Sequence, residues 1–276
     1  MLGVSESYYS QHGEDFLLSR YFTGHEGFFV EIGCIDGKRF SNTYHFELKG
    51  WKGICVEAHQ DYIALLRTNR PKSAIIHCAV GEADEDQAVF FANARGSLSS
   101  LDPTKEEKFA RDYPGYFTGF KPQSVSKRTL TTLFKEHHVG AIDLLSLDIE
   151  GYEVEALKGL DLKRYAPSVL VVESDSPEHR RKLDEKLMPA GYECVLEFGG
   201  NLFYSVLPDF KAAVAGKFFP QVEIVHTRHP LDSGTDVATT IAIDTRQSTS
   251  KKSAAKGRVR RGVGKLFQAM RPKRKN

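Results

Sequence analysis

The 276-residue chain is 41% hydrophobic and 11% aromatic, enough to bury one large core and carry an appendage. It holds no run near the roughly 20 apolar residues that span a bilayer, and residues 1–11 lack the basic start and apolar stretch of a secretory leader, so a cytoplasmic address is the expectation. The net charge of +2 is split: eleven of the 38 Lys/Arg residues and none of the 36 acids lie from Lys251 onward, so residues 1–250 sum to −9, a body poorly suited to nucleic acid.

Residues 13–21 read as a short helix with Phe16 and Leu17 among its apolar members. Residues 28–33 are an apolar run ending in a glycine turn, the pattern of a buried strand. A helix over 41–49, with Ser41 as its N-cap, precedes a second strand over 53–57 that ends on an acid. Residues 61–68 read as a helix and 74–80 as a third strand. An acidic turn over 82–86 leads to an extra strand at 88–91. From 95 to 126 the periodicity is weak and prolines and glycines recur, which predicts a lid or binding loop. Then come a helix over 130–137, a strand over 142–147, a helix over 154–160, a strand over 168–172 and a helix over 177–188. Residues 192–198 and 202–206 pair across Gly199-Gly200-Asn201, a hairpin signal.

Apolar strands alternating with helices predict an α/β fold of Rossmann-like type: a mostly parallel central sheet with an antiparallel edge strand and helices on both faces. Residues 1–207 are expected to form this domain, with 1–27 as an N-terminal cap segment. Residues 208–246 read as a weakly structured extension and 247–276 as a basic, disordered tail. The four cysteines, Cys34, Cys55, Cys78 and Cys194, have no C-x-x-C spacing and read as small buried thiols rather than metal ligands.

Ligands of doubly wound sheets bind beyond the carboxyl ends of the strands. The turn Glu31-Ile32-Gly33-Cys34-Ile35-Asp36-Gly37 lies at such an end, where Gly33 and Gly37 let the backbone turn sharply and approach a ligand. Its spacing departs from the dinucleotide fingerprint G-x-G-x-x-G. An anionic pyrophosphate is poorly served by Glu31 and Asp36, whereas a ligand with a sulfonium and an ammonium suits them, which favours S-adenosylmethionine over NAD. Glu57, about 20 residues beyond Gly37 and at the second strand end, is placed to accept hydrogen bonds from ribose hydroxyls.

Asp148-Ile149-Glu150-Gly151-Tyr152-Glu153 follows the fourth main strand, so its acids project toward the same crevice. A carboxylate there can take the proton of an acceptor hydroxyl as a methyl group arrives. Asp148 also reads as a helix cap and Glu153 as a solvated first-turn acid. Hard oxygen ligands suit magnesium, but no spacing here demands a metal, and none is assigned.

Four ordered blocks resemble the FkbM-type methyltransferases: Tyr9-Ser10-Gln11-His12-Gly13-Glu14-Asp15; Phe29 to Gly37 running on into Ser41-Asn42-Thr43; Gly50-Trp51-Lys52-Gly53 through Val56-Glu57-Ala58; and Leu147 to Glu153. The resemblance spans roughly three quarters of the chain. It implies a class I methyltransferase fold with S-adenosylmethionine as methyl donor. It also implies, as in most characterised members, transfer to an oxygen of a sugar, polyketide or similar metabolite or glycan. Carried over residue by residue, it places Glu31, Gly33, Asp36, Gly37 and Asn42 around the methionine half of the cofactor and Glu57 at the ribose. Asp148 and Glu150 fall near the transferring methyl. The block holding Gln11 and His12 is expected to fold over the pocket, Gln11 at the cofactor and His12 as a further catalytic candidate.

Two other readings stay open at this level. One is a nucleotide-binding oxidoreductase, disfavoured by the turn's acids and its missing third glycine. The other is a catalytically inactive binding module. In the tail, Val259, Val263, Leu266, Phe267 and Met270 recur at helical spacing among basic residues, which predicts peripheral contact with an anionic membrane. Oligomeric state is not legible.

Overall fold

The computed structural model describes residues 6–246. In chain order the elements are α1 (Glu14–Tyr21), β1 (Phe28–Ile32), α2 (Tyr44–Leu48), β2 (Lys52–Glu57), α3 (Ile63–Asn69), β3 (Ala74–His77), β4 (Ala79–Val80) and β5 (Glu85–Ala92). They continue with α4 (Lys105–Asp112), β6 (Lys121–Arg128), α5 (Leu130–Glu136), β7 (Leu144–Leu147), α6 (Glu153–Lys158) and β8 (Val169–Glu173). The last are α7 (Pro177–Leu187), β9 (Glu193–Phe198), β10 (Asn201–Ser205), α8 (Phe210–Val214), β11 (Phe218–His226) and β12 (Val237–Asp244).

Seven strands form the central sheet in the order β3-β2-β1-β7-β8-β10-β9. Every pair from β3 to β8 is parallel, whereas β10 runs antiparallel to both β8 and β9. The reversed strand is thus inside the sheet and β9 forms the edge. Alternate residues of the strands feed two cores, as strand periodicity requires. Val30, Ile32, Leu145, Leu147, Leu170 and Val172 face α5, α6 and α7. Phe29, Cys55, Leu144, Val169 and Phe203 face α1, α2, α3 and α8. Burial on both faces explains why these strands read as continuous apolar runs.

The apolar run 74–80 serves two sheets. β3 pairs with β2, but after Cys78 the chain leaves as β4, which joins β6 and β5 in a separate three-stranded sheet. The region expected to be an irregular lid therefore holds α4 and β6, with loops between them. Past Val206 the expected weak structure is instead a helix and a two-stranded ribbon. Val222, Ile224 and Ile243 of that ribbon are buried with Leu17 of α1, and the Phe219 and Phe16 ring centroids lie 4.9 Å apart. The N-terminal segment joins in, as Val225 N–H donates to Tyr8 O at 2.7 Å. Cys34, Cys55 and Cys78 are buried and Cys194 is half-buried, all as free thiols. Burial pushes Cys78 up to about 12. The basic tail, with its expected membrane helix, lies outside the described residues. Among the described residues no helix is long and apolar enough to cross a membrane.

Candidate functional site

The glycine turn is held from two sides. Gly33 N–H donates to Val56 O at 3.0 Å, and Asp148 N–H donates to Ile32 O at 3.1 Å, so β1 stays clamped between β2 and β7 past its last residue. Gly33 has φ +87°, and a Cβ there would lie 1.8 Å from the Asp148 carbonyl oxygen. Only glycine satisfies both conditions. Gly33→Ala is therefore expected to cost on the order of 3 kcal/mol, from left-handed strain plus displacement of the β7 backbone. Urea unfolding measures this directly, and a loss under about 1 kcal/mol would show that β7 yields instead.

Ile35 is also left-handed, with φ +50°. Its N–H donates to Glu57 Oε2 at 2.6 Å, while His59 N–H donates to Oε1 at 2.7 Å. Glu57 thus splints the turn to the end of β2, and burial pushes its carboxyl up to about 7 against the pull of these amides. Asp36 Oδ1 accepts the amides of Lys38 and Arg39 at 2.9 and 2.8 Å and folds the chain after Gly37. At Gly37, φ is +83° and a Cβ would meet Leu66 and Arg70 at 2.5 Å.

Glu31 departs from its expected place against a cationic ligand, because a buried arginine meets its charge within the protein. Arg70, with no exposed side-chain surface, donates from Nη1 to Glu31 Oε2 at 2.9 Å and from Nε to Glu47 Oε2 at 2.8 Å. Asn42 N–H and the hydroxyls of Ser41 and Thr43 fill the remaining positions on Glu31, at 2.8–2.9 Å. The Asn42 amide Nδ2 reaches across to Ser146 Oγ on β7 at 3.0 Å. Ser41 caps α2 from a distance, its Oγ accepting Tyr44 N–H at 2.9 Å.

The acids beyond β7 and β8 form one group. Glu150 is left-handed at φ +59°, and its Oε1 accepts Leu98 N–H at 3.0 Å. Ser100 Oγ donates to the Glu150 carbonyl at 3.2 Å, so the segment after β5 is fastened over the acids. Burial, then repulsion from Glu150 and Glu153, raises Asp148 well above the usual carboxylate range. Burial pushes Glu150 up to about 7 and raises Glu173, at the end of β8, well above its ordinary value. Glu153 is buried rather than solvated, and its Oε1 accepts Ile149 and Gly151 amides at 2.9 and 3.1 Å.

The N-terminal block reaches the same strand ends. Glu14 Oε1 accepts from Asn201 Nδ2 at 3.0 Å, and Asn201 pairs in register with Glu173. His12 N–H donates to Glu14 Oε2 at 2.9 Å, while its buried Nε2 has no hydrogen-bond partner. Gln11, beside it, is half-buried. Asp15 is structural: it accepts from Ser10 Oγ and Tyr9 N–H, both at 2.6 Å, and burial pushes it up to about 7.

The sequence reading missed Arg70, Glu173, Glu14 and Arg39. Glu173 obeys the strand-end rule that identified Glu57, and that rule finds it. Arg39 is a buried cation two residues past Gly37. Its Nη2 donates to Tyr116 Oη, and its Nε and Nη1 have no partner. No sequence signal distinguishes it from a surface arginine.

Strand order, the reversed sixth position and a glycine turn flanked by strand-end acids define a Rossmann-like methyltransferase. The model of the methyltransferase FkbM domain matches residues 31–194. The chain belongs to this family and is an S-adenosylmethionine-dependent methyltransferase. No curated protein matches it significantly. Three solved structures show how thin the wider likeness is. A precorrin-6y methyltransferase from Geobacter metallireducens has 10% identity and a TM-score of 0.36 over 83% of this chain and 84% of its own. A TehB-like methyltransferase from Corynebacterium glutamicum has 10% identity and a TM-score of 0.36 over 71% and 88%. A putative RNA methyltransferase from Pyrococcus horikoshii has 12% identity and a TM-score of 0.34 over 84% and 78%. Scores this low carry no argument about the acceptor.

Proposed function

We propose that this enzyme methylates a hydroxyl oxygen on a sugar, polyketide or similar small metabolite or glycan. The supporting observation is the group of acids gathered beyond β7 and β8, with the Asp148 carbonyl directly beside Gly33. Methyl transfer is in-line displacement at the sulfonium carbon, so the protein must align two reactants and accept one proton. The turn at Gly33 and Gly37, with Asp36 and Asn42 behind it, seats the methionine half of the cofactor. Glu57 takes the ribose hydroxyls with the lone pairs its amide donors leave. Asp148 and Glu150 face the methyl, one of them as general base, with His12 next in line and Gln11 closing over the cofactor. Screening hydroxylated acceptors with labelled S-adenosylmethionine tests the reading. A product heavier by one methyl on oxygen supports it, and methylation confined to nitrogen or carbon sinks it.

The ribose role of Glu57 has a pH signature. Ribose hydroxyls donate best to the ionised carboxylate, and the carboxyl sits at about 7 in the free protein. Affinity for S-adenosylhomocysteine should therefore fall about tenfold from pH 8 to pH 6. In Glu57→Gln the dependence should flatten, with affinity weaker by roughly 1.5–3 kcal/mol than the parent at pH 8. Equal slopes in both proteins would remove Glu57 from the ribose. Folding responds with the opposite sign. Because the folded value lies above the ordinary 4.5, the neutral form contributes stability fully below that value and loses it as pH climbs through about 7.

A further inference from the structure

Three of the acids beyond β7 and β8 converge. One carboxylate oxygen each from Asp148, Glu153 and Glu173 lies within 4.8 Å of the other two. The nearest lysines do not sit between them: Lys105 and Lys108 are drawn to Asp175, at 3.1 and 2.5 Å. Glu153 has no exposed surface, and while Oε1 takes two amides, Oε2 is buried without a hydrogen-bond partner. A second side chain points the same way. His179, on α7 and only 9% exposed, brings Nε2 to 3.3 Å from Glu153 Oε2, yet neither ring nitrogen is aligned for a hydrogen bond. A buried carboxylate oxygen left without a donor is costly, and one that persists calls for a water, an ion or a charged neighbour.

We propose that Asp148, Glu153 and Glu173 form the oxygen face of a divalent-cation site, with His179 orienting Glu153 from behind. Oxygens gathered within 4.8 Å of one another can meet on a single Mg²⁺ or Ca²⁺, both of which take oxygen ligands. An all-carboxylate set selects a hard cation. The histidine fits the usual arrangement in which a ligating carboxylate is held by a neighbour outside the coordination sphere. The other acid cluster, Glu31 with Cys34 and Cys55, is already neutralised by Arg70. The site shares Asp148 with the hydroxyl-methylation reading, and a cation held there leaves Glu150 as the general base.

The test is titration of the metal-stripped full chain with Mn²⁺, followed by loss of the free-ion signal in electron paramagnetic resonance. One saturable site per chain is expected, emptied by excess Mg²⁺ or Ca²⁺. Asp148→Asn and Glu173→Gln should each weaken it at least tenfold, while Asp244→Asn, at the exposed end of β12, leaves it unchanged. Should a trio variant fail to fold, the parent's melting temperature with and without Ca²⁺ decides, and a rise is expected. Absence of saturable Mn²⁺ binding by the parent overturns the proposal, as does equal binding by folded trio variants. Calorimetry with S-adenosylhomocysteine, run separately, shows whether a failure belongs to the cation site or to the methyltransferase reading.

Discussion

Arg70→Met is expected to remove about 3–5 kcal/mol of folding stability, the range for breaking a buried ion pair from one side. Arg70 sits at the centre of five hydrogen-bonded groups: Glu31, Glu47, the Gly37 carbonyl, Ser41 and Thr43. Methionine fills much of the space but leaves two buried carboxylates facing each other without a cation. Arg70→Lys keeps the charge and loses the fork, so it should recover only part of the loss. Because Gly37 O and Ser41 lose their donor as well, affinity for S-adenosylhomocysteine should fall in the folded fraction. Urea unfolding at pH 7 reads the first effect and calorimetry the second. A stability change under 1 kcal/mol would mean that the carboxylates are neutralised without Arg70 and that it does not hold the turn.

The second large effect is on turnover. Glu150→Gln should slow methyl transfer by about 10²–10⁴-fold, the range for losing a positioned general base, while cofactor affinity changes by a small factor. Glutamine retains an acceptor for the Leu98 amide, so the fastening of the lid segment survives and the change falls on proton acceptance alone. Asp148→Asn is expected to act similarly. If both variants keep full turnover, the base lies elsewhere and His12 becomes the candidate. If either loses cofactor binding instead, that acid is a ligand contact.

The parallel core was legible because its strands are buried on both faces and read as unbroken apolar runs. The same continuity hid the break at Cys78: residues 74–80 are apolar throughout, and only pairing with the distant β6 decides that β4 leaves the sheet. β6 itself, Lys121–Arg128, reads Lys-Pro-Gln-Ser-Val-Ser-Lys-Arg, with Val125 its one buried apolar residue, so no periodicity announces it. The turn and Glu57 stood out in the sequence because strand-end position carries chemical meaning, and the structure joins them through the Ile35 and His59 amides. Arg70 could not, since its partners lie 23 and 39 residues away and nothing in chain order names the acid a given cation will meet. The ribbon of β11 and β12 was missed for a related reason. Both strands are largely exposed, and their few buried residues pack on α1 rather than on one another's sequence neighbourhood.

The small sheet has a narrow neck. The chain leaves through Val80 and returns through Arg128, which are register partners, and Gly81 N–H donates to the Arg128 carbonyl at 3.1 Å. Everything between is an excursion whose two ends meet, and closing such a loop costs only slowly more as it lengthens. Residues 82–127 can therefore grow, shrink or be exchanged without altering the register of the seven-stranded sheet that carries the glycine turn. This excursion also supplies the segment fastened to Glu150, through the Leu98 amide and the Ser100 hydroxyl. One sheet thus holds the glycine turn in fixed register, while a single excursion with joined ends carries the segment laid over Glu150.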